Sequence, residues 1–128
     1  MAAYTFGIET DGAFEDVVER VTAALATEGF GVLTTIDVTA TMKAKLDVDL
    51  PPYRILGACN PPLAHQAITT EPEIGALLPC NVVVRQIDTG VAVDFMDPAA
   101  VLGLVSADGI AGVAAEVRIR LERVAAAV

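Results

Sequence analysis

The residues best suited to chemistry are two cysteines and the side chains beside them. Cys59 is followed by Asn60-Pro61-Pro62; Cys80 follows Pro79 and precedes Asn81. A thiol acts as nucleophile or metal ligand only as thiolate, and the positive end of a helix favours that form. Pro61-Pro62 reads as the first turn of a helix, so Cys59 stands at such an end. It is a candidate nucleophile, redox thiol or metal ligand. The competing reading makes it a small buried apolar residue closing a strand, as free cysteines often are. Cys80 comes 21 positions later with a helix between. If the two strands pair, the sulfurs can approach, but spacing alone does not make them meet.

Four more residues surround this pair. His65 is the only histidine, and with Cys59 and Cys80 it forms a candidate metal set to which Glu71 could add an oxygen. The spacing matches no zinc pattern, so no metal is expected, and an ordinary helix position suits His65 as well. Asn60 and Asn81 each follow a cysteine and carry donor and acceptor together, enough to bind a polar ligand; Asn60 before a proline also suits a helix cap. Glu71 precedes Pro72 in a turn. Buried, it would serve as an acid or base; exposed, it is one surface carboxylate among many. The candidate ligand site is therefore Cys59, Asn60, Glu71, Cys80 and Asn81. No catalytic residue is assigned and no cofactor is identified. There is no glycine-rich phosphate loop, and one histidine without a serine elbow gives no Ser-His-Asp set.

The pattern of the chain supplies the elements that position these groups. Residues 3–9 alternate, with Tyr4, Phe6 and Ile8 on one face of a short strand. Asp11 is the expected cap of a first helix whose buried face is Phe14, Val17, Val18, Val21 and Leu25, and Gly29 ends it. Residues 30–36 form a second strand. Asp37 caps a short helix through residues 41–46, although Val38, Thr39 and Thr41 are β-branched and could prolong the strand. Pro51-Pro52 leads into a strand at 53–59. A Pro61-Pro62 helix ends at Pro72, with one further turn over 73–77.

The nearly unbroken apolar run at 80–87 predicts a central strand covered on both faces. Asp88-Thr89-Gly90 turns the chain into a return strand at 91–96, whose Asp94 faces solvent. Asp97-Pro98 caps and opens the last helical region, which Ser106 to Gly109 interrupts. Val113, Val117, Leu121 and Val124 then form one long face. Arg118, Arg120 and Arg123 gather toward the negative end of that helix, and Ile119 lies off its apolar face, free for a contact between copies.

A length of 128 residues suits one domain spanning 1–128. The chain is 54% hydrophobic with a mean hydropathy of +0.57, apolar enough that surface is left to hide. A homodimer is the expected partner state. Net charge is −9 and pI about 4.3, which repels nucleic acid and anionic membranes. No window has the apolar length of a membrane span, the opening residues have no signal-peptide pattern, and a cytoplasmic location with reduced thiols is expected.

Cys59-Asn60-Pro61, Glu71-Pro72 with Ile74-Gly75, Leu78-Pro79-Cys80-Asn81-Val82-Val83-Val84 and Asp97-Pro98 together resemble the signature of the bacterial and archaeal family called domain of unknown function 302 (DUF302). The resemblance runs from the helix after Thr10 to the last helix. It implies a TATA-box-binding-protein-like β-α-β4-α topology with short helical insertions and no assigned activity. The elements themselves imply α+β: a single curved, mostly antiparallel sheet with helices packed on one side. Such a fold says nothing about binding DNA.

Three functions follow. The first is a dimeric small-molecule binding or sensing module with its site near the two Cys-Asn segments. The second is a thiol-based redox or metal-binding protein or enzyme using Cys59 and Cys80. The third is a structural or interaction protein in which those segments are turns that lock the sheet.

Overall fold

Five alternating segments pair into one antiparallel sheet in a computed structural model that describes residues 2–128. They are β1 (Thr5–Thr10), β2 (Gly31–Asp37), β3 (Tyr53–Cys59), β4 (Cys80–Ile87) and β5 (Gly90–Met96). The order across the sheet is β1-β5-β4-β3-β2. Strands β2 to β5 form a meander, and β1 returns to pair with β5 from Thr5↔Met96 to Thr10↔Val91. The helices are α1 (Phe14–Thr27), α2 (Val38–Leu46), α3 (Pro61–Thr70), the single turn α4 (Pro98–Val101) and α5 (Ile110–Ala127). Two 3₁₀ segments, Pro72–Leu77 and Leu102–Leu104, follow α3 and α4. This is the β-α-β4-α order with short insertions.

Strand alternation decides where the core lies. Leu56, Val82, Val84, Val93 and Phe95 point to one face and are buried there under Val17, Val21 and Leu25 of α1 and Val117, Leu121 and Val124 of α5. Each such side chain contributes about 1.5–3 kcal/mol relative to exposure. Phe6 stacks on Phe95 with centroids 5.4 Å apart, and the Arg118 guanidinium lies 3.9 Å over the Phe6 ring.

Several local expectations change. Asp11 does not cap α1. Gly12 turns the chain at φ 120°, the helix begins two residues later, and the cap position falls on Ala13, whose side chain gives no hydrogen bond. Strand β4 is central but covered on one face only. Asn81 is exposed and Val83 and Arg85 are half-buried on the other face, because all the long helices share one side. Asp94 is not simply solvent-facing; it is half-buried and accepts a hydrogen bond from Arg85 at 2.8 Å. The arginines of α5 do not cluster at its last turn. They pair with carboxylates instead: Arg118 with Asp97 and Glu122, Arg120 with Glu116, Arg123 with Glu28.

The caps at Asp37, Asn60 and Asp97 form through Ala40, Leu63 and Ala99 N–H groups. Val38 and Thr39 are helical, so α2 starts directly at the end of β2. None of the nine residues of α2 is buried.

The end of α1 depends on Gly29, which adopts φ 84°. A side chain there meets the left-handed penalty, and its Cβ would lie 3.0 Å from Asn60 Nδ2. Gly29→Ala is expected to lower stability by about 1–2 kcal/mol. Urea unfolding checks this: the midpoint should fall with the slope unchanged.

Candidate functional site

The register of the sheet brings the two cysteine segments together. Ala58 of β3 pairs with Cys80 of β4, so Cys59 ends its strand beside Pro79 and Cys80. The Leu78-Pro79 peptide bond is cis and leads the preceding 3₁₀ segment into β4. At this end of the sheet a pocket of about 320 Å³ opens between the strands, α3 and α5. Its walls are Phe30 and Leu33 before and within β2, Leu63, Ala64 and Ala67 of α3, Gly75 and Leu78 beyond it, and Leu102, Val113 and Val117 from the C-terminal region. Among the described residues the only polar side chains on the wall are Cys59, Asn60 and Cys80.

Asn60 is buried at 5% exposure and is largely occupied with structure. Its Oδ1 accepts the Leu63 N–H at 3.4 Å, capping α3, and its Nδ2 donates to the Glu28 carbonyl at 3.4 Å. The same carbonyl accepts from Arg120 at 3.3 Å. What remains for a ligand is one amide hydrogen and part of the oxygen's capacity.

The thiols are neither bridged nor acidic. Both are free; Cys59 is half-buried and Cys80 buried. Burial pushes the Cys59 thiol up, and burial together with the neighbouring Cys59 pushes Cys80 up to about 11. This is opposite to the direction expected of a thiol ahead of a helix. At neutral pH both sulfurs therefore act as weakly polar parts of an apolar wall.

The other candidates lie elsewhere. Asn81 is exposed on the open face of the sheet, opposite Gly57. Glu71 is half-buried at the end of α3, where its carbonyl accepts from Ile74, and its side chain is not on the pocket wall. His65 is exposed on α3. Among the described residues no group of three His, Cys, Asp or Glu side chains is placed to hold a metal ion. Nor is any helix among them long and apolar enough to cross a membrane.

Sequence reasoning missed most of the wall. Leu33 reaches it through an irregularity between Val32 and Thr34 in the pairing of β2 with β3. Leu102, Val113 and Val117 arrive from far along the chain, where an apolar helix face gave no sign that part of it borders a cavity. The signal that could have drawn attention to α3 is its run of small residues, Ala64 and Ala67, which leave room beside the strands.

Comparison with known proteins places this geometry in a family. A family model described as domain of unknown function DUF302 matches residues 6–128. The crystal structure of an uncharacterized conserved DUF302 protein from Bacillus stearothermophilus is similar to this chain, with a TM-score of 0.89 and 27% identity over 98% of both chains. No functionally curated protein matches.

The raised thiol of Cys80 has a consequence for stability. The folded state holds its proton up to about pH 11, whereas an unfolded thiol releases it near 9.0. The contribution is complete below pH 9 and is lost as pH rises toward 11. Urea unfolding at pH 8, 9, 10 and 11 should show wild type losing stability faster than Cys80→Ala, although the variant starts lower at pH 8.

Proposed function

This chain belongs to the DUF302 family, and we propose that it is a dimeric small-molecule binding or sensing module that takes an apolar ligand beside its two cysteines. The observation that carries this reading is the convergence of Cys59, Asn60 and Cys80 on one apolar pocket. Its volume of about 320 Å³ lies at the small end of the range for ligand sites. It is roughly twice the 150 Å³ that suffices for benzene in an engineered cavity. A ligand of one or two rings, or a short aliphatic chain, fits that space. An anion gains nothing here, because the wall carries no cation.

The neutral thiols contribute polarisable contact to an aromatic or unsaturated group. Asn60 offers one directional hydrogen bond to a carbonyl or hydroxyl at the ligand's polar end. Neither step requires catalysis. A reducing, cytoplasmic setting suits two free cysteines lining a binding site.

Obstructing the pocket without disturbing the fold tests this. Gly75 borders the pocket at an exposed position, and a Cβ there meets no atom within 4 Å, so a larger side chain is accommodated at the rim. Wild type should bind the neutral fluorophore N-phenyl-1-naphthylamine with saturable enhancement. Gly75→Leu should reduce the affinity at least tenfold with thermal stability retained or raised. Unchanged binding by a folded Gly75→Leu protein would remove the pocket as the site.

A further inference from the structure

We infer that the hollow beneath α2 is a second ligand site, and that it takes an organic ammonium ion with an apolar body. This goes beyond the reading above and does not depend on it, since the two hollows share no wall residue. They lie at opposite ends of β3, the first beside Cys59 and the second beside Arg54. The second measures about 490 Å³, inside the range of small-molecule sites. It opens between the first turn of α1, helix α2 and the segment 48–54.

The way α2 is held leaves this space. The helix buries none of its nine residues, so little apolar packing draws it onto the sheet. Polar links tie it down instead. Thr39 Oγ1 accepts the Tyr53 N–H at 2.9 Å and donates to the Pro51 carbonyl at 2.9 Å. Further along the helix, Lys43 reaches Asp49 at 3.1 Å. The wall these links enclose is largely apolar. Val48 and Leu50 border the hollow yet stay 43% and 38% exposed, and Phe14 and Pro52 border it too. An apolar ligand body removes this surface from water.

Charge selects the ligand. Two bases border the hollow, and each already faces two carboxylates. Arg54 donates to both oxygens of Glu15, at 2.6 and 2.9 Å, and lies 3.8 Å from Asp37. Lys43 lies 2.9 Å from Asp47 and 3.1 Å from Asp49. A ligand carboxylate would add a third acid at either base, so anions and zwitterions gain nothing. A cation meets the surplus. Asp37 Oδ1 caps α2 through the Ala40 N–H, while its Oδ2 accepts no hydrogen bond among the described residues. Arg54 holds the Glu15 carboxyl below its usual range through their hydrogen bonds, and the charge on Asp37 works against it. A primary ammonium brings three donors and no acceptor, which suits Asp37 Oδ2 and relieves that repulsion. The net charge of −9 draws cations toward the surface in general. These carboxylates remain in contact with water, so salt screens the attraction.

Amide NMR titration tests this with three probes of similar shape: benzylamine, benzyl alcohol and benzoate. At pH 7 and low salt, benzylamine should bind saturably, with shifts centred on amides 38–43 and 48–54. Benzyl alcohol should bind at least fivefold more weakly, and benzoate more weakly still. Raising the ionic strength from about 0.02 M to about 0.5 M should bring benzylamine within about twofold of benzyl alcohol. Asp37→Asn keeps the α2 cap, because asparagine accepts from the backbone as aspartate does, and should lose at least threefold in benzylamine affinity. Ala40→Phe, at an exposed helix position on the wall, should lose at least tenfold with the fold retained. Equal affinity for benzyl alcohol at low salt overturns the selection of a cation. Asp37→Asn binding as tightly as wild type overturns the role given to that carboxylate. Shifts centred on Cys59 and Asn60, or loss of binding in Gly75→Leu but not in Ala40→Phe, overturn the location. No saturable binding of benzylamine overturns the site. If a variant misfolds, the salt response and the benzyl alcohol comparison on wild type still decide.

Discussion

Three helices meet at the carbonyl oxygen of Glu28. It closes α1, it accepts from Asn60 at the head of α3, and it accepts from Arg120 in α5. At 3.3 and 3.4 Å neither bond is strong by itself. The constraint comes from what would happen without them. A helix end leaves its last carbonyls without partners; where such an acceptor is buried its loss costs about 1–3 kcal/mol, and Glu28 is half-buried. Gly29 makes the approach possible by presenting no side chain where the Asn60 amide lies. Because Asn60 also caps α3, the placement of that helix against the other two passes through one side chain. The pocket wall, which draws on α3 and α5, depends on that placement.

The fold was legible wherever the information was local. Asp37, Asn60 and Asp97 announce helix starts because a short polar side chain can bond only to backbone a few residues away. Asp11 announced one falsely, because Gly12 intervened with a conformation that type and spacing do not encode. The run at β4 suggested cover on both faces, but β-branched residues such as Val83 suit a strand on its open side as well. The site was legible in part for the same reason. Cys59, Asn60 and Cys80 converge because β3 and β4 pair in a register that the sequence makes plausible. Asn81 falls on the other face by alternation alone, and Glu71 is carried off to the far end of α3. Leu33, Leu102 and Val113 were not legible as wall residues, since their meeting depends on an irregular strand pairing and on contacts between distant segments.

Cys59 shows how two electrostatic effects of different size are ordered. A helix terminus is worth about 0.3–1 kcal/mol to a nearby charge, less than one pK unit. Removing water from a thiolate can shift its titration by several units when the group is fully buried. Cys59 is half-buried, and its thiol is shifted upward by loss of water. The same apolar surplus that disarms the thiols gives the cavity its character and leaves β2 and α2 with hydrophobic side chains in water. High hydropathy in this chain thus lies in a pocket wall and in exposed side chains spread over several elements, in addition to the core.

The pairing of β1 with β5 sets an order of events during synthesis. Strands β2 to β5 can zip in the sequence in which they leave the ribosome, each against its predecessor. Strand β1 is translated first, yet its partner ends at Met96, which must emerge before the pair can form. Until then Phe6 lacks the Phe95 ring on which it stacks, and the outer edge of β5 is still unmade. Loop closure over that separation is entropically unfavourable and slow. Strand β1 therefore stays unpaired, with Phe6 and Ile8 uncovered, until β5 has been made, the stage at which strand exchange or capture by a chaperone has most opportunity.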